Sequence, residues 1–326
     1  MLTLNDNVAA MTGDSALLTH PALHGLTVLE RGWLSSNNIL IHPVSGEDGA
    51  VLVDTGHVNH AEQTVALVHR ALQGQRLSRV VNTHLHSDHC GGNRRLQEAF
   101  GCPVWVAPGM REPVRQWGEH RLTYVQTGQR CARFEADGEL ASGDSFRAGG
   151  RDWEVLRAPG HDPDSMMLFD RAGGVLLSAD ALWEQGFGVV FPEVAGEPGF
   201  EDVAEVLDLI ASLPVKVVVP GHGAPFVDVE GALARARSRL SGFQQNPERH
   251  ARHAVKVLIK YHVMEVQAQR FDDLIEWAAT TPFLTLLWER YGQTRGHRVQ
   301  AWCAGFVEEL VASGVLMRRE DLVTDA

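Results

Sequence analysis

The sequence predicts an α/β fold with a small, mostly helical domain at its C-terminal end. Three observations predict it. Short apolar runs alternate with helical periodicity over roughly the first 240 residues. Five of those runs end at a histidine or an aspartate. Past about residue 245 the strand-like runs give way to helical spacing.

Residues from about 24 to 56 read as β. Ile39-Leu40-Ile41 and Val51-Leu52-Val53 are apolar runs with the turn residues Ser45-Gly46-Glu47-Asp48-Gly49 between them. The second run ends at Asp54. A helix is predicted from about 60 to 73, where Ala61, Val65, Val68 and Leu72 recur at spacings of three and four. Val80-Val81-Asn82-Thr83 reads as a strand running into His84. Residues from about 90 to 100 read as a helix after Gly91-Gly92, and Val104-Trp105-Val106 as a strand. Residues from about 109 to 135 fit neither period and read as an insertion. Trp153-Glu154-Val155-Leu156 leads to His161, Val175-Leu176-Leu177-Ser178 to Asp180, and Val215-Lys216-Val217-Val218-Val219 to His222. Loops at strand ends are where sheet-based proteins place their chemistry.

Beyond residue 245, Ala254, Val257, Leu258 and Tyr261 mark one helical face. Phe283, Leu286, Leu287 and Tyr291 mark a second, and Trp302, Phe306 and Leu310 a third. Ser313-Gly314 stops that helix, and Val315-Leu316-Met317 reads as a short strand. The predicted division is residues 1–240 and residues 241–326.

With 326 residues, 44% of them hydrophobic, a sizeable core can form without disulfides. The net charge of −12 disfavours nucleic acid and anionic membranes as partners. Met1-Leu2-Thr3-Leu4-Asn5-Asp6-Asn7 lacks a basic segment followed by an apolar stretch, and no apolar run reaches membrane-spanning length. The expected location is the cytoplasm. Cys90, Cys102, Cys131 and Cys303 show no CxxC spacing and read as free thiols.

His84, His86, Asp88 and His89 fall within six residues. Neutral imidazoles and carboxylates are the ligands that divalent zinc, iron or manganese accept. A turn after a strand lets His84 and His86 share one ion while Asp88 and His89 face a second. Further ligands are expected from His161, Asp180 and His222. Isolated histidines such as His20, His24, His57, His60, His250 and His297 read as structural or surface residues.

Thr83-His84-Leu85-His86-Ser87-Asp88-His89, with Asp54 upstream and His161, Asp180 and His222 downstream in that order, resembles the metallo-β-lactamase superfamily. The resemblance covers roughly residues 24 to 240. It implies an αββα sandwich with the metals at one sheet edge. It implies one ion on His84, His86 and His161, a second on Asp88, His89 and His222, and Asp180 bridging both. Asp54 would orient the site from behind. Two features depart from commoner patterns. Asp162-Pro163-Asp164-Ser165 follows His161 where many relatives have Thr-Pro-Gly-Ser, and Cys90 directly follows His89.

Zinc lowers the pKa of its water from 15.7 to about 7, which makes hydroxide available near neutral pH to attack a polarised carbonyl. The expected protein is therefore a metal-dependent hydrolase with two divalent ions, zinc before iron or manganese. Its substrate would be a small-molecule thioester, lactone or related ester or amide, as in the glyoxalase II-like branch. Asp88 is the expected catalytic group, orienting the water and accepting its proton. The alternative is a sulfur dioxygenase of the same superfamily with a single iron. Cleavage of nucleic-acid phosphodiesters is disfavoured by charge.

Trp183, Phe187 and Phe191 are candidates for an apolar pocket wall beside the metals, or for plain core packing. Arg249, Arg252, Lys256 and Lys260 fall on one helical face, and Arg235 and Arg239 are four apart. They suit a solvated face or, alternatively, a patch for the anionic tail of a thioester such as glutathione or coenzyme A. The C-terminal region loosely resembles the winged-helix-like appendage of some hydrolases of this fold. Its expected role is pocket closure or contacts in a homodimer.

Overall fold

The structure, a computed structural model, describes residues 20–326. The reading of Met1-Leu2-Thr3-Leu4-Asn5-Asp6-Asn7 lies outside the described residues. Strands β1 (Leu26–Leu29), β2 (Asn38–Ile41) and β3 (Ala50–Val53) form an antiparallel meander. Helix α1 (Ala61–Leu72) then crosses back, so that β4 (Leu77–Val81) pairs parallel to β3. Glu62 stands in the first turn of α1 and His69 and Arg70 in the last, each matching the helix dipole. A short turn of helix, α2 (Ser87–Cys90), and α3 (Asn93–Phe100) follow. Strands β5 (Val104–Val106) and β6 (Gly138–Glu139) complete a six-stranded sheet in chain order. Residues 109–135, read as an insertion, hold two short helices, α4 (Arg111–Gln116) and α5 (Tyr124–Thr127). Val114, Leu122, Tyr124 and Phe134 bury against the outer face of that sheet.

The second sheet has five strands: β7 (Ser145–Ala148), β8 (Arg151–Arg157), β9 (Met166–Asp170), β10 (Val175–Ala179) and β11 (Val217–Pro220). β7 to β10 run antiparallel, and β11 pairs parallel to β10. That crossover passes through α6 (Phe191–Ala195) and α7 (Phe200–Ser212). After β11, α8 (Val229–Gln245) covers the outer face beside α7.

Strand alternation builds the layers. Ile39, Ile41, Val51, Val53 and Val81 face inward and meet Met166, Leu168, Val175, Leu177, Val217 and Val219 of the other sheet. Leu40, Leu52 and Val80 face outward into the core beneath α1 and α3. Met167, Phe169, Leu176 and Val218 face outward beneath α7 and α8. β2, β3, β9, β10 and β11 are buried on both faces, so they appear in the sequence as largely unbroken apolar runs, whereas β7 and β8 bury alternate residues. Deleting one fully buried side chain, as in Leu52→Ala, costs about 2–5 kcal/mol at such a position. The result is the αββα sandwich.

The last part of the chain is built on α9 (Pro247–Val266), with α10 (Phe271–Thr280), α11 (Pro282–Leu287) and α12 (Val299–Ala312). Ala254, Val255, Leu258 and Ile259 of α9 share a core with Leu274, Phe283, Leu287, Phe306 and Leu310. Val189, Phe191 and Val194, from the segment after β10, enter the same core. The single short strand expected at 315–317 is part of a three-stranded sheet. β12 (Ala268–Arg270) pairs with β14 (Leu322–Asp325), and β14 with β13 (Leu316–Arg319). Those strands are three or four residues long and half exposed, too short for an alternation to register in sequence. Among the described residues no helix is long and apolar enough to cross a membrane.

Candidate metal centre

Strand ends of both sheets converge on one point. Asp54 follows β3, Thr83 and His84 follow β4, His161 follows β8, Asp180 follows β10 and His222 follows β11. Two of these exits are conformationally demanding. Asp54 (φ 55°) and Ala179 (φ 47°) both occupy the left-handed region although neither is glycine. Gly221 is required for a different reason. A Cβ there would lie 2.2 Å from Asp180 Oδ1, so only glycine lets β11 deliver His222 beside Asp180.

The converging side chains fall into two groups of donors that could hold metal ions. His84, His86 and His161 form one, and Asp88, His89, Asp180 and His222 the other. All seven are buried. In the first group His86 Nδ1 lies 3.1 Å from His84 Nε2 and 2.8 Å from His161 Nε2. Three imidazole nitrogens this close are repulsive as bare lone pairs. The spacing fits nitrogens about 2.0–2.1 Å from one shared ion. In the second group His222 Nε2 lies 3.0 Å from Asp88 Oδ2, and His89 Nε2 lies 3.4 Å from Asp180 Oδ1. Asp180 straddles the groups, since its Oδ2 stands 3.4 Å from His161 Nε2.

Hydrogen bonds behind the imidazoles fix which nitrogen faces inward. His161 Nδ1–H donates to the Val189 carbonyl at 2.6 Å, leaving Nε2 as a lone pair. His89 Nδ1–H donates to Asp54 Oδ2 at 2.7 Å. Asp54 is itself held by the Thr83 backbone N–H at 2.9 Å and the Thr83 hydroxyl at 2.7 Å. His89 Nε2 is buried and has no hydrogen-bond partner among the described residues. An orphaned, inward-facing nitrogen beside two carboxylates fits a cation.

The electrostatics agree with a ligand role. Burial, reinforced by neighbouring imidazoles, pushes His84 well below the ordinary histidine range. Burial also holds His86 and His161 at about 4, so all three are neutral at pH 7. Burial opposes ionisation of Asp88 and Asp180, but the surrounding histidines outweigh it and hold both carboxyls below their usual range. Burial likewise opposes charge on His89, yet Asp180, Asp54 and Asp88 together pull it well up. The pocket of carboxylates around His89 calls for positive charge.

The site opens into a cavity of about 490 Å³. Trp183 and Phe191, two of the three aromatics singled out in the sequence, line it. Phe191 packs edge-on against His86 at 4.8 Å, and Trp183 Nε1–H donates to Asp180 Oδ1 at 3.2 Å. Phe187 lies elsewhere, in the core between the second sheet and α8. Trp33, in the loop after β1, stacks on His222 at 5.3 Å and forms another wall. Gln129, Tyr261 and Met264 complete that side. No local motif announces these residues; they reach the site only through the packing of distant segments. Cys90 is buried, with Tyr124 Oη 3.1 Å from its sulfur. Asp162, at the departure from the commoner pattern, stands 3.5 Å from His86 Nε2, and burial lifts its carboxyl to about 6.

Fold and site together define a candidate two-group metal centre where the strand ends of an αββα sandwich converge. The family model for the metallo-beta-lactamase superfamily matches residues 31–222, and the chain belongs to that superfamily. A hydroxyacylglutathione hydrolase of Methylococcus capsulatus is 31% identical over 147 residues, 45% of this chain and 48% of that protein. The chain thus spans about half the length of that relative. An uncharacterized protein of Mycobacterium leprae is 29% identical over 207 residues, 61% of this chain and 91% of its own. The crystal structure of a metallo-beta-lactamase family protein from Thermus thermophilus shares the fold, with a TM-score of 0.53 and 22% identity over 93% of this chain and 99% of that one.

Proposed function

We propose that the protein hydrolyses a thioester, lactone or related carbonyl ester of a small molecule at a two-ion centre. One observation carries the reading: two abutting donor groups, linked by Asp180, stand at the wall of a largely apolar cavity. His84, His86 and His161 would hold one ion; Asp88, His89 and His222 the other; Asp180 would contribute to both. Ions bound there supply Lewis acidity toward a carbonyl oxygen and lower the pKa of a water.

The remaining work falls to the chain. Asp54 and the Val189 carbonyl fix the His89 and His161 rings. Asp88 lines the cavity and is held anionic by His89 and His222, which suits it to contribute to an ion site and to orient a water by accepting its hydrogen bond. Trp33, Trp183 and Phe191 exclude water and receive the apolar part of a substrate. The C-terminal region closes the cavity with Val257, Leu258, Tyr261 and Met264 of α9, together with Leu310 and Val315. Its helix–strand–helix order ending in a two-stranded hairpin supports a winged-helix-like unit used as a wall.

The test is metal analysis of the purified protein alongside a screen of thioesters, lactones and β-lactams. Two ions per chain, with thioester or lactone hydrolysis lost on chelation and restored by zinc, are expected. Undiminished hydrolysis by metal-free protein overturns the reading.

A further inference from the structure

Most cations around the cavity are already neutralised. Lys256 pairs with Glu309 at 2.8 Å, and Arg252 pairs with the same carboxylate at 2.7 Å. Lys260 pairs with Asp325 and donates to the Val315 carbonyl at 2.7 Å. This face of α9 is thus largely self-compensated.

Arg239 of α8 is different. It lines the same cavity as His86, His161, Asp180 and His222, and it is half-buried. Among the described residues no carboxylate lies within ion-pair distance of its guanidinium. Among the described residues its guanidinium makes one hydrogen bond, from Nη2 to His253 Nε2 at 2.6 Å. His253 brings no negative charge. Burial, with Arg239 and Lys256 nearby, holds its pKa at about 4, so it is a neutral acceptor at pH 7. Removing an unpaired guanidinium from water is costly, and arginine cannot shed its proton to escape the cost.

The surroundings nevertheless hold the guanidinium in place. Its central carbon stands 5.5 Å from the Phe187 ring centroid and 5.4 Å from that of Phe243. Gly186 gives it room, since a Cβ there would meet Arg239 Nη1 at 2.9 Å. A guanidinium packed against two rings that themselves meet edge to face, with donors left over at a cavity wall, is prepared for an oxyanion. Arg239 shares its cavity with the metal-site residues but hydrogen-bonds to none of the seven, and that cavity's lining is largely apolar, so a ligand touching both would lie along an apolar surface.

We propose that Arg239 is a specificity-determining residue that binds an anionic group of the substrate, a carboxylate or a phosphate-type group, joined to the scissile carbonyl through an apolar spacer. This rests on the hydrolase reading above and names its substrate class. Phe187 thereby acts from the core, as one of the two rings that position Arg239.

The test compares three activated esters on the intact zinc-loaded protein: p-nitrophenyl hexanoate, the mono-p-nitrophenyl ester of adipic acid, and p-nitrophenyl 6-phosphonohexanoate. Wild type is expected to favour at least one anionic ester by about tenfold or more in kcat/KM, through KM, and the better of the two identifies the anion. Arg239→Gln should erase that preference and leave the neutral ester within about twofold, which also shows that the variant folds. Arg239→Lys should restore part of it. A wild type without preference, a preference surviving in Arg239→Gln, or equal losses on neutral and anionic esters overturns the proposal. Calorimetric binding of adipate against hexanoate, which differ by one distal carboxylate, separates this from the hydrolase reading. If no ester is cleaved but adipate binds more tightly and Arg239→Gln removes the difference, the anion site stands and the hydrolase reading fails. Equal binding of the two acids sinks the anion site whatever the esters do.

Discussion

Glu265, at the end of α9, accepts a hydrogen bond from His57 Nε2 at 3.1 Å across 208 residues of chain. The same carboxylate accepts from the Arg130 side chain at 2.7 Å and from its backbone N–H at 3.1 Å. Asn59 Nδ2 donates to the Glu265 carbonyl at 2.7 Å. One buried carboxylate thus ties the C-terminal wall of the cavity to the loop just after Asp54.

Removing that tie should loosen the wall before it harms the metal centre. Glu265→Ala leaves His57 and the Arg130 amide without their acceptor, at a cost of about 1–3 kcal/mol. A lower Tm and a raised KM are expected, with metal content unchanged. Metal analysis beside thermal unfolding checks the split.

The same residue gives a pH signature. Burial pushes the Glu265 carboxyl up, but hydrogen bonds from His57 and from the Arg130 side chain and backbone, with the charge of His57, outweigh it and hold the folded-state pKa below the usual 4.5. A depressed carboxyl contributes stability that is complete above its unfolded pKa and lost as pH falls through the folded one. Wild type should therefore lose stability more steeply than Glu265→Gln on acidification below about pH 4.5. Parallel acid limbs in denaturant titrations count against this account.

Asp180→Ala and His86→Ala should each abolish hydrolysis and lower metal content. Asp180→Ala should do so for both ions, because its two oxygens face the two donor groups separately. His86→Ala should spare the group of Asp88, His89 and His222. Stepwise metal titration distinguishes the two patterns.

Asp54→Asn keeps the size of the side chain and removes the charge behind His89. Loss of such an outer partner typically costs 10–100-fold in metal affinity. Competition against a chelator measures it, and an affinity unchanged within twofold would remove Asp54 from the site.

Trp33 is 59% exposed, yet it stacks on His222. Trp33→Ala should raise KM several-fold with a Tm shift near zero, since little core is disturbed. Metal binding to His222 should also change the Trp33 contribution to fluorescence, a change absent from the variant.

The legible part of this protein was the part written locally. Val51-Leu52-Val53 and Val175-Leu176-Leu177 are buried on both faces, so their strands show as continuous apolar runs that end at Asp54 and near Asp180. His84 to His89 fit one turn, so their spacing already carries the chemistry. Trp33, Gln129 and Glu265 were invisible because each is an ordinary residue in its own segment. Only the packing of α9 and the loop after β1 against the sandwich gives them a site to serve. The basic spacing along α9 was legible as a stripe, but its neutralisation by Glu309 and Asp325 was not. Among the described cations that line the cavity, the one without a carboxylate partner is Arg239, on α8.

Every donor around Asp180 comes from the stretch between residues 54 and 222, while much of the opposite wall comes from residues 239 to 315. Under the proposed function, the residues that would hold the ions and much of the surface that would face the rest of a substrate come from different stretches of the chain, with Trp33, Trp183 and Phe191 as the shared border. Substitutions along α9 can redirect selection while the donors stay intact. Descendants of such a chain can change diet without relearning how to digest.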